Sequence, residues 1–272
     1  MEGLYDGAVP ALAVTFLLFG EGFFLVFAFL RPAFARDGLP SERMGGMLAL
    51  PCIALLLGIV AAWFGFQDQG AAAVRMRGSA GYLMAGAFIC SLASFAAVAV
   101  YAAAAAAARL RGQGALGRAG GWVCGAICAV SVLAIAALLA CSGPPWPFWS
   151  CFAAPVGFAL LCGTGYAVVA CEGVRGFPAA QHMKRTLVAL IGIGAVLGLG
   201  GFIVCTQASQ PDAAAVVEAA MMQITLAIFA LTAAAVFAIL ALRSEDTGYY
   251  SIISFVAAIL GTVCALIVLL AL

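Results

Sequence analysis

The most informative shortage in this sequence is charge. Only 8% of its 272 residues are charged and 66% are hydrophobic, whereas an ordinary soluble domain is about 25% charged. Water therefore cannot be the main solvent of the chain, and its length indicates a number of membrane-spanning helices, not of soluble domains. The net charge of +1 gives no electrostatic reason to expect nucleic acid or an acidic macromolecule as a partner.

Histidine is the second shortage, because the chain contains only His182. A membrane b-type haem usually needs two axial imidazoles, so we expect no haem in this chain. His182 lies beside Lys184 and Arg185 and is predicted to be a solvated loop residue. The ten cysteines include no CxxC pair and are scattered over the apolar runs, so we expect no iron–sulfur cluster and no other metal site. Cys141 and Cys151 flank one loop and form either a disulfide or two reduced thiols.

Apolar runs long enough to cross a bilayer recur along the chain, since a spanning helix needs roughly 20 apolar residues. We predict spans at about Ala8 to Leu30, Met44 to Phe66, Ala80 to Ala108, Gly121 to Cys141, Cys151 to Cys171, Arg185 to Cys205, Met222 to Leu242 and Tyr249 to Leu272. The fold is thus predicted to be all-α, a polytopic bundle of about eight transmembrane helices. It forms one integral membrane domain over residues 1–272, or two four-helix halves, 1–141 and 142–272. The first run is longer than a signal-peptide core and has no small-residue cleavage site, so we expect it to stay in the mature protein.

Basic residues indicate how the bundle is oriented, because cytoplasmic loops carry an excess of lysine and arginine. Ten of the twelve basic residues fall in the first, third, fifth and seventh loops, and only Arg75 and Arg77 fall on the opposite face. We therefore predict a multi-pass protein of the cell membrane with both termini on the extracytoplasmic side. On that outer face, Trp146 and Trp149 form either a partner-binding surface or an interfacial aromatic belt.

Small residues and prolines predict how the helices pack. Gly194 and Gly198, at helical spacing, are expected to let a neighbouring helix approach closely. Pro51 and Pro155 fall inside predicted spans and are expected to kink or locally open them.

Glu21 is the one acidic residue predicted to lie in the middle of a span. A charged group at that depth costs at least ~2.5 kcal/mol, so an intramembrane carboxyl is a candidate for function. Its distance from Ala8 along the helix places it roughly 20 Å into the first span, near or past the membrane midplane. We therefore assign Glu21 to proton relay. The alternative is a protonated or hydrogen-bonded glutamate that only holds helices together.

A second candidate site follows the second predicted span. Its residues, at the end of that span, in the next loop and at the start of the third span, are Trp63, Gln67, Asp68, Arg75, Arg77 and Tyr82. An aromatic wall with amide and arginine donors and a carboxylate suits a quinone ring, whose carbonyls accept hydrogen bonds and whose reduced form releases protons. The alternative is a helix end followed by an ordinary solvated loop.

Three further segments carry a family resemblance: Phe19 to Val26 (FGEGFFLV), Leu57 to Ile59 (LGI) leading to Gln67, and Trp149 to Phe158 (WSCFAAPVGF). Together with the spans, the outward termini and the length, they resemble the membrane anchor subunit of the dimethyl sulfoxide reductase family of molybdenum enzymes. The resemblance covers most of the chain.

The resemblance implies a haem-free anchor that binds menaquinol near the outer face and passes its electrons to an iron–sulfur subunit docked there. The molybdopterin catalytic subunit would lie beyond. This chain departs from the family pattern at two positions. Gln67 stands where the family has a histidine linked to quinol oxidation, and no glutamate occurs early in the third span, between Tyr82 and Ser91. Asp68 or Glu21 would have to substitute as proton acceptor.

Two other functions stay open. A multi-span transporter or permease component would have a polar midplane cavity and often internal repeats, whereas Glu21 is almost alone at depth and the halves show no convincing repeat. The third interpretation is an anchor of the related polysulfide-reductase type, or a scaffold that binds no quinone. The terminal electron acceptor is not encoded here, because in this family its chemistry belongs to another chain.

Overall fold

The regular structure is entirely helical over the residues that the computed structural model describes, which are 8–37, 47–68, 79–110, 118–142, 147–172, 174, 176–207, 217–244 and 248–270. The helices are α1 Ala8–Arg36, α2 Ala49–Asp68, α3 Ser79–Leu110, α4 Arg118–Ser142, α5 Phe148–Glu172, α6 Gln181–Thr206, α7 Met221–Arg243 and α8 Gly248–Leu270. A short 3-10 turn, Phe177–Ala179, precedes α6. The predicted all-α bundle is confirmed.

Seven of the described helices, all except α2, are long and apolar enough to cross a membrane. Within α2, the apolar stretch Ala49–Phe64 is shorter than a span, so the eighth crossing stays a prediction. Bulky apolar side chains face outward along the bundle, and Val100, Val196 and Phe229 are each at least 70% exposed. Water would penalise such a surface and lipid would not. The chain is therefore a multi-pass helical membrane protein.

A proline lies close to two helix ends, the end of α1 and the start of α2. α1 continues past Leu30 and through Pro32. The predicted start of the second span at Met44 lies outside the described residues. α2 begins at Ala49, which places Pro51 in its first turn, where a missing N–H removes no intrahelical hydrogen bond. Pro51 therefore does not interrupt a span as predicted, whereas Pro155 does lie inside α5.

Helices α1 and α5 form the centre of the bundle. α1 packs against α2, α4, α5 and α8, and α5 packs against α1, α4, α6 and α8. Where they cross, a Cβ on Gly22 would overlap the carbonyl of Ala159, and one on Gly163 would lie 2.5 Å from the carbonyl carbon of Gly22. Helices in lipid depend on such close backbone packing, because no hydrophobic drive brings them together.

The last four helices repeat contacts of the first four. α5 packs on α6 and α8 as α1 packs on α2 and α4, and α7 pairs with α8 as α3 pairs with α4. At the centre, residues 17–23 (LLFGEGF) and 160–166 (LLCGTGY) share one pattern. In this short repeat Thr164 occupies the position that corresponds to Glu21, so only the copy in the first half of the chain has a carboxyl group there.

A π-helical turn at Val196–Gly200 interrupts α6. It faces α5, where a Cβ on Gly157 would overlap the backbone nitrogen of Gly198. A Cβ on Gly194 would lie 3.1 Å from the Cβ of Leu160. The close approach predicted for Gly194 and Gly198 is therefore observed.

Candidate functional site

Glu21 is fully buried where α1 meets α3 and α4. Its Oε1 accepts a hydrogen bond from Ser131 Oγ of α4 at 2.6 Å. The hydroxyl of Ser131 is in turn 3.2 Å from that of Ser91 on α3. Three helices thus each contribute one side chain to a polar cluster inside an otherwise apolar bundle, and the carboxyl group does not face lipid.

Two buried oxygens near this cluster have no hydrogen-bond partner among the described residues, namely Oε2 of Glu21 and Oγ of Ser94. Cys128 of α4 lies beside Ser94, one helical turn from Ser131. An unpaired buried polar atom costs about 1–3 kcal/mol. The two oxygens therefore mark a place where a proton, a water molecule or a polar ligand group would be stabilised.

The other end of the same helices holds a buried arginine. Arg31 donates from Nη1 to Tyr101 Oη of α3 at 2.9 Å, and its guanidinium carbon lies 6.0 Å from the centre of the Tyr101 ring. Gly121 of α4 leaves room for it, since a Cβ there would lie 2.9 Å from Nη1. In the count of basic residues, Arg31 is one of the three assigned to the first loop, with Arg36 and Arg43. That assignment of Arg31 is wrong, because α1 continues through it.

The aromatic part of the predicted quinol site lies between α2 and α3. Trp63 is half exposed, and its ring centroid is 5.9 Å from that of Phe88, with the ring planes tilted by 31°. Phe88 and Ser91 are one helical turn apart on α3. Because Ser91 reaches Glu21 through Ser131, the structure brings together two features that the sequence suggested separately, an aromatic wall and a buried carboxyl group.

The remaining predicted quinol residues are described only as backbone or not at all. Gln67 and Asp68 end α2, and Tyr82 lies in the first turn of α3, but the described side chains do not include theirs. Arg75 and Arg77 lie outside the described residues. Trp63 is therefore the one member of this set whose side-chain contacts the structure describes.

Asp37, directly after α1, binds the start of α6. Its carboxylate accepts hydrogen bonds from the backbone N–H of His182 at 3.3 Å and of Met183 at 2.9 Å, and it lies 2.8 Å from His182 Nδ1. Burial alone would raise the pKa of Asp37, but the bonds from Met183 and His182 outweigh it, and the pKa lies below its ordinary value. His182 is solvent-exposed, as predicted, but it does not lie in a loop. It belongs to the first turn of α6 and contacts Asp37.

The loop before α5 is described only from residue 147 onward. Cys141 and Cys151 are both free thiols, and the thiol of Cys151 donates to the carbonyl of Leu139 at 3.4 Å. Trp149 is 77% exposed and packs edge-on against Phe148, whereas Trp146 lies outside the described residues. Of the alternatives left open for the cysteines, the reduced form is observed.

No group of three or more His, Cys, Asp or Glu side chains that could hold a metal ion occurs in the described part of the chain. Comparison of the sequence and structure with family models, curated proteins and solved structures gave no match.

Sequence reasoning identified Glu21 but missed its partners Ser91 and Ser131. Serine is common in membrane helices, and a single serine in an apolar run predicts nothing. The usable signal was the ten-residue spacing of Ser91 and Tyr101 on α3, which equals the spacing of Glu21 and Arg31 on α1.

Proposed function

We propose that this chain is the menaquinol-oxidising membrane anchor of a molybdopterin-dependent reductase complex. It would reside in the cytoplasmic membrane with both termini on the extracytoplasmic side. The sequence resemblance supplies the class of protein. The observation that carries the proposal is that the half-exposed Trp63 packs on Phe88, one turn of α3 from Ser91, whose hydroxyl pairs with that of Ser131 beside the buried Glu21. An aromatic wall open to lipid beside a buried proton acceptor is what quinol oxidation needs.

In this function the quinol enters from the bilayer and its ring lies against Trp63 and Phe88. Oxidation to the quinone releases two electrons and two protons. The electrons pass to an iron–sulfur subunit docked on the outer face and then to the molybdopterin subunit. Glu21, as a carboxylate, accepts one proton through the hydroxyl pair, and each hydroxyl releases its own proton as it takes up another. Asp68, at the end of α2, is the candidate acceptor for the second proton.

Gln67 would bind instead of accepting a proton. Its amide can donate a hydrogen bond to a quinone carbonyl, but it cannot take up a proton at neutral pH. Arg75, Arg77 and Tyr82 are proposed as further hydrogen-bond donors to the quinol. With no histidine at this end of α2, Glu21 and Asp68 take the acceptor role.

The test is menaquinol oxidation by the complex purified from native membranes through a tag on this chain. We expect an iron–sulfur subunit and a molybdopterin subunit to co-purify, and a menaquinol analogue to reduce the clusters. Glu21→Gln keeps the side-chain shape and is expected to lower kcat about 100-fold, whereas Trp63→Ala is expected mainly to raise KM. Glu218→Gln, at an exposed position of the chain, is the matched control and should leave turnover unchanged.

Failure of an intact complex to transfer electrons from the quinol would refute the proposal. Normal turnover in Glu21→Gln would refute only the role of Glu21. If the chain purifies without redox subunits and drives proton-coupled uptake, the transporter alternative holds, because a buried intramembrane carboxyl also suits such a protein. Co-purification with a polysulfide-reducing subunit would select the related anchor type.

A further inference from the structure

On α1, α3 and α4, polar residues lie on a face whose positions are separated by three, four and three residues, and Phe24, Ala28, Val98 and Gly121 occupy the other positions of that face. This spacing keeps residues on one face of a helix. The polar members are Glu21 and Arg31 on α1, Ser91, Ser94 and Tyr101 on α3, and Ser131, Cys128 and Cys124 on α4. We call this set the α1–α3–α4 seam. It extends over ten residues of α1, or about 15 Å.

Hydrogen bonds join members of the seam at its two ends. At one end Ser131 donates to Glu21 and pairs with Ser91, and at the other end Tyr101 accepts from Arg31. Between them, Cys128 lies beside Ser94, and one turn further along α4 the thiol of Cys124 donates to the carbonyl of Ala97 on α3 at 3.5 Å. The seam therefore places a hydroxyl or thiol group on each turn between the buried carboxyl group and the basic end of α1.

The unpartnered oxygens of Glu21 and Ser94 both belong to the upper half of the seam, and both residues are fully buried. Buried polar atoms without partners normally bind water or take part in chemistry. Ser94 lies one turn of α3 from Ser91, whose hydroxyl pairs with Ser131 beside Glu21, and this placement points to a site for transferable protons at this level of the bundle.

The described residues offer Glu21 no comparable route toward the other end of α1. Thr15 is the next buried polar residue in that direction, and its hydroxyl donates to the carbonyl of Ala11 in its own helix at 2.7 Å. Across the centre of the bundle, Thr164 likewise donates to Leu160 of its own helix at 2.7 Å. Each hydroxyl donates within its own helix, so neither connects Glu21 to another polar group.

We propose that Glu21 exchanges protons with the basic end of the bundle along the α1–α3–α4 seam. Each hydroxyl, thiol or intervening water accepts one proton and releases its own, so that only a proton is moved. The use of this route in turnover rests on the quinol oxidation proposed above. Electrons would then leave toward one side of the membrane and the proton accepted by Glu21 toward the other, and turnover would move charge across the bilayer.

The test is hydrogen–deuterium exchange of the Glu21 carboxyl group, followed by infrared spectroscopy of the purified chain in lipid bilayers. The band of the protonated carboxyl is assigned by its loss in Glu21→Gln, and its shift in D2O is timed. Because a relay needs each of its groups, we expect Ser94→Ala and Tyr101→Phe each to slow the exchange by about tenfold or more. Thr15→Val and Ser254→Ala change buried hydroxyls outside the seam and should leave the rate unchanged.

Wild-type exchange rates in both seam variants, with folding verified by thermal midpoint, would overturn the proposal. So would equal slowing in the two controls, or the absence of any exchangeable Glu21 band. The assay contains neither quinol nor partner subunits. A negative result therefore leaves quinol oxidation untouched, and a failure of quinol turnover in the purified complex leaves the proton route untouched.

Discussion

Among the residues that the structure describes, no cation lies beside the carboxyl oxygens of the buried Glu21, and the hydrogen bond from Ser131 is its closest stabilising contact. A buried carboxyl group that loses its hydrogen bond loses more than the bond itself, because desolvation of that oxygen is no longer compensated. Ser131 is therefore a structural requirement of the site as well as part of its proposed chemistry.

We expect Ser131→Ala to lower the free energy of unfolding by about 1–3 kcal/mol, since Oε1 of Glu21 loses its partner. The thermal midpoint in detergent measures this. Ser254→Ala is the matched control. Ser254 is also buried, but it donates to the helical carbonyl of Ala234 at 2.8 Å, which already accepts within its helix. A midpoint shift no larger for Ser131→Ala than for the control would contradict the expectation.

Asp37 stabilises the first turn of α6 from outside that helix. Ala180 precedes α6 and has no side-chain acceptor for the first N–H groups, and Asp37 supplies one. Replacing a capping acceptor by alanine costs about 1 kcal/mol. We expect Asp37→Ala to lower the thermal midpoint accordingly and Asp37→Asn, which keeps an acceptor oxygen, to lower it less.

The lowered pKa of Asp37 also predicts a pH dependence. A carboxyl group whose pKa is lowered on folding stabilises the fold at pH values above its ordinary pKa of 3.8. This contribution is lost as the pH falls through the lower pKa that the group has in the folded state. The difference in midpoint between wild type and Asp37→Asn should therefore shrink as the medium is acidified below 3.8. A difference that stays constant over this range would show that the charge of Asp37 contributes nothing.

At the scale of helices, the crossing of α1 and α5 depends on the absence of side chains. A Cβ on Gly22 would overlap the backbone of Ala159, which cannot move without displacing α5. Overpacking of this kind costs about 1–3 kcal/mol. We therefore expect Gly22→Ala to lower the thermal midpoint and to displace Glu21, one residue away, so that quinol turnover also falls.

Gly192 provides the comparison for that variant. It lies on α6, and a Cβ added to it would have no other atom within 4 Å. Alanine is favoured over glycine in a helix by about 1 kcal/mol. Gly192→Ala should therefore leave the midpoint unchanged or raise it. If both substitutions have the same effect, helix propensity and not the helix crossing decides the outcome.

At the scale of the whole molecule, the number of crossings decides the relative position of the termini. Seven described helices qualify as spans, and seven crossings would put the termini on opposite sides. With α2 as an eighth crossing, both lie on one side. We expect reporters that work only outside the cytoplasm to be active at both termini. Activity at one terminus alone would show that α2 does not cross.

The sequence by itself determined that this is a helical membrane protein, and it determined the outline of the fold. Scarce charge and repeated apolar runs are properties of composition and length, and they require helices because a lipid-exposed backbone must satisfy its own hydrogen bonds. Glu21 could be singled out for the same local reason, since a carboxyl group within an apolar run is costly wherever the helix packs.

Only the tertiary structure decided what Glu21 contacts. Ser91 and Ser131 are 40 residues apart in sequence, and nothing local assigns them to one cluster. The burial of Arg31 depended on Tyr101 and on the space above Gly121, and the position of His182 depended on Asp37. These contacts join distant segments, and they follow from how the helices pack around α1, which hydropathy does not specify.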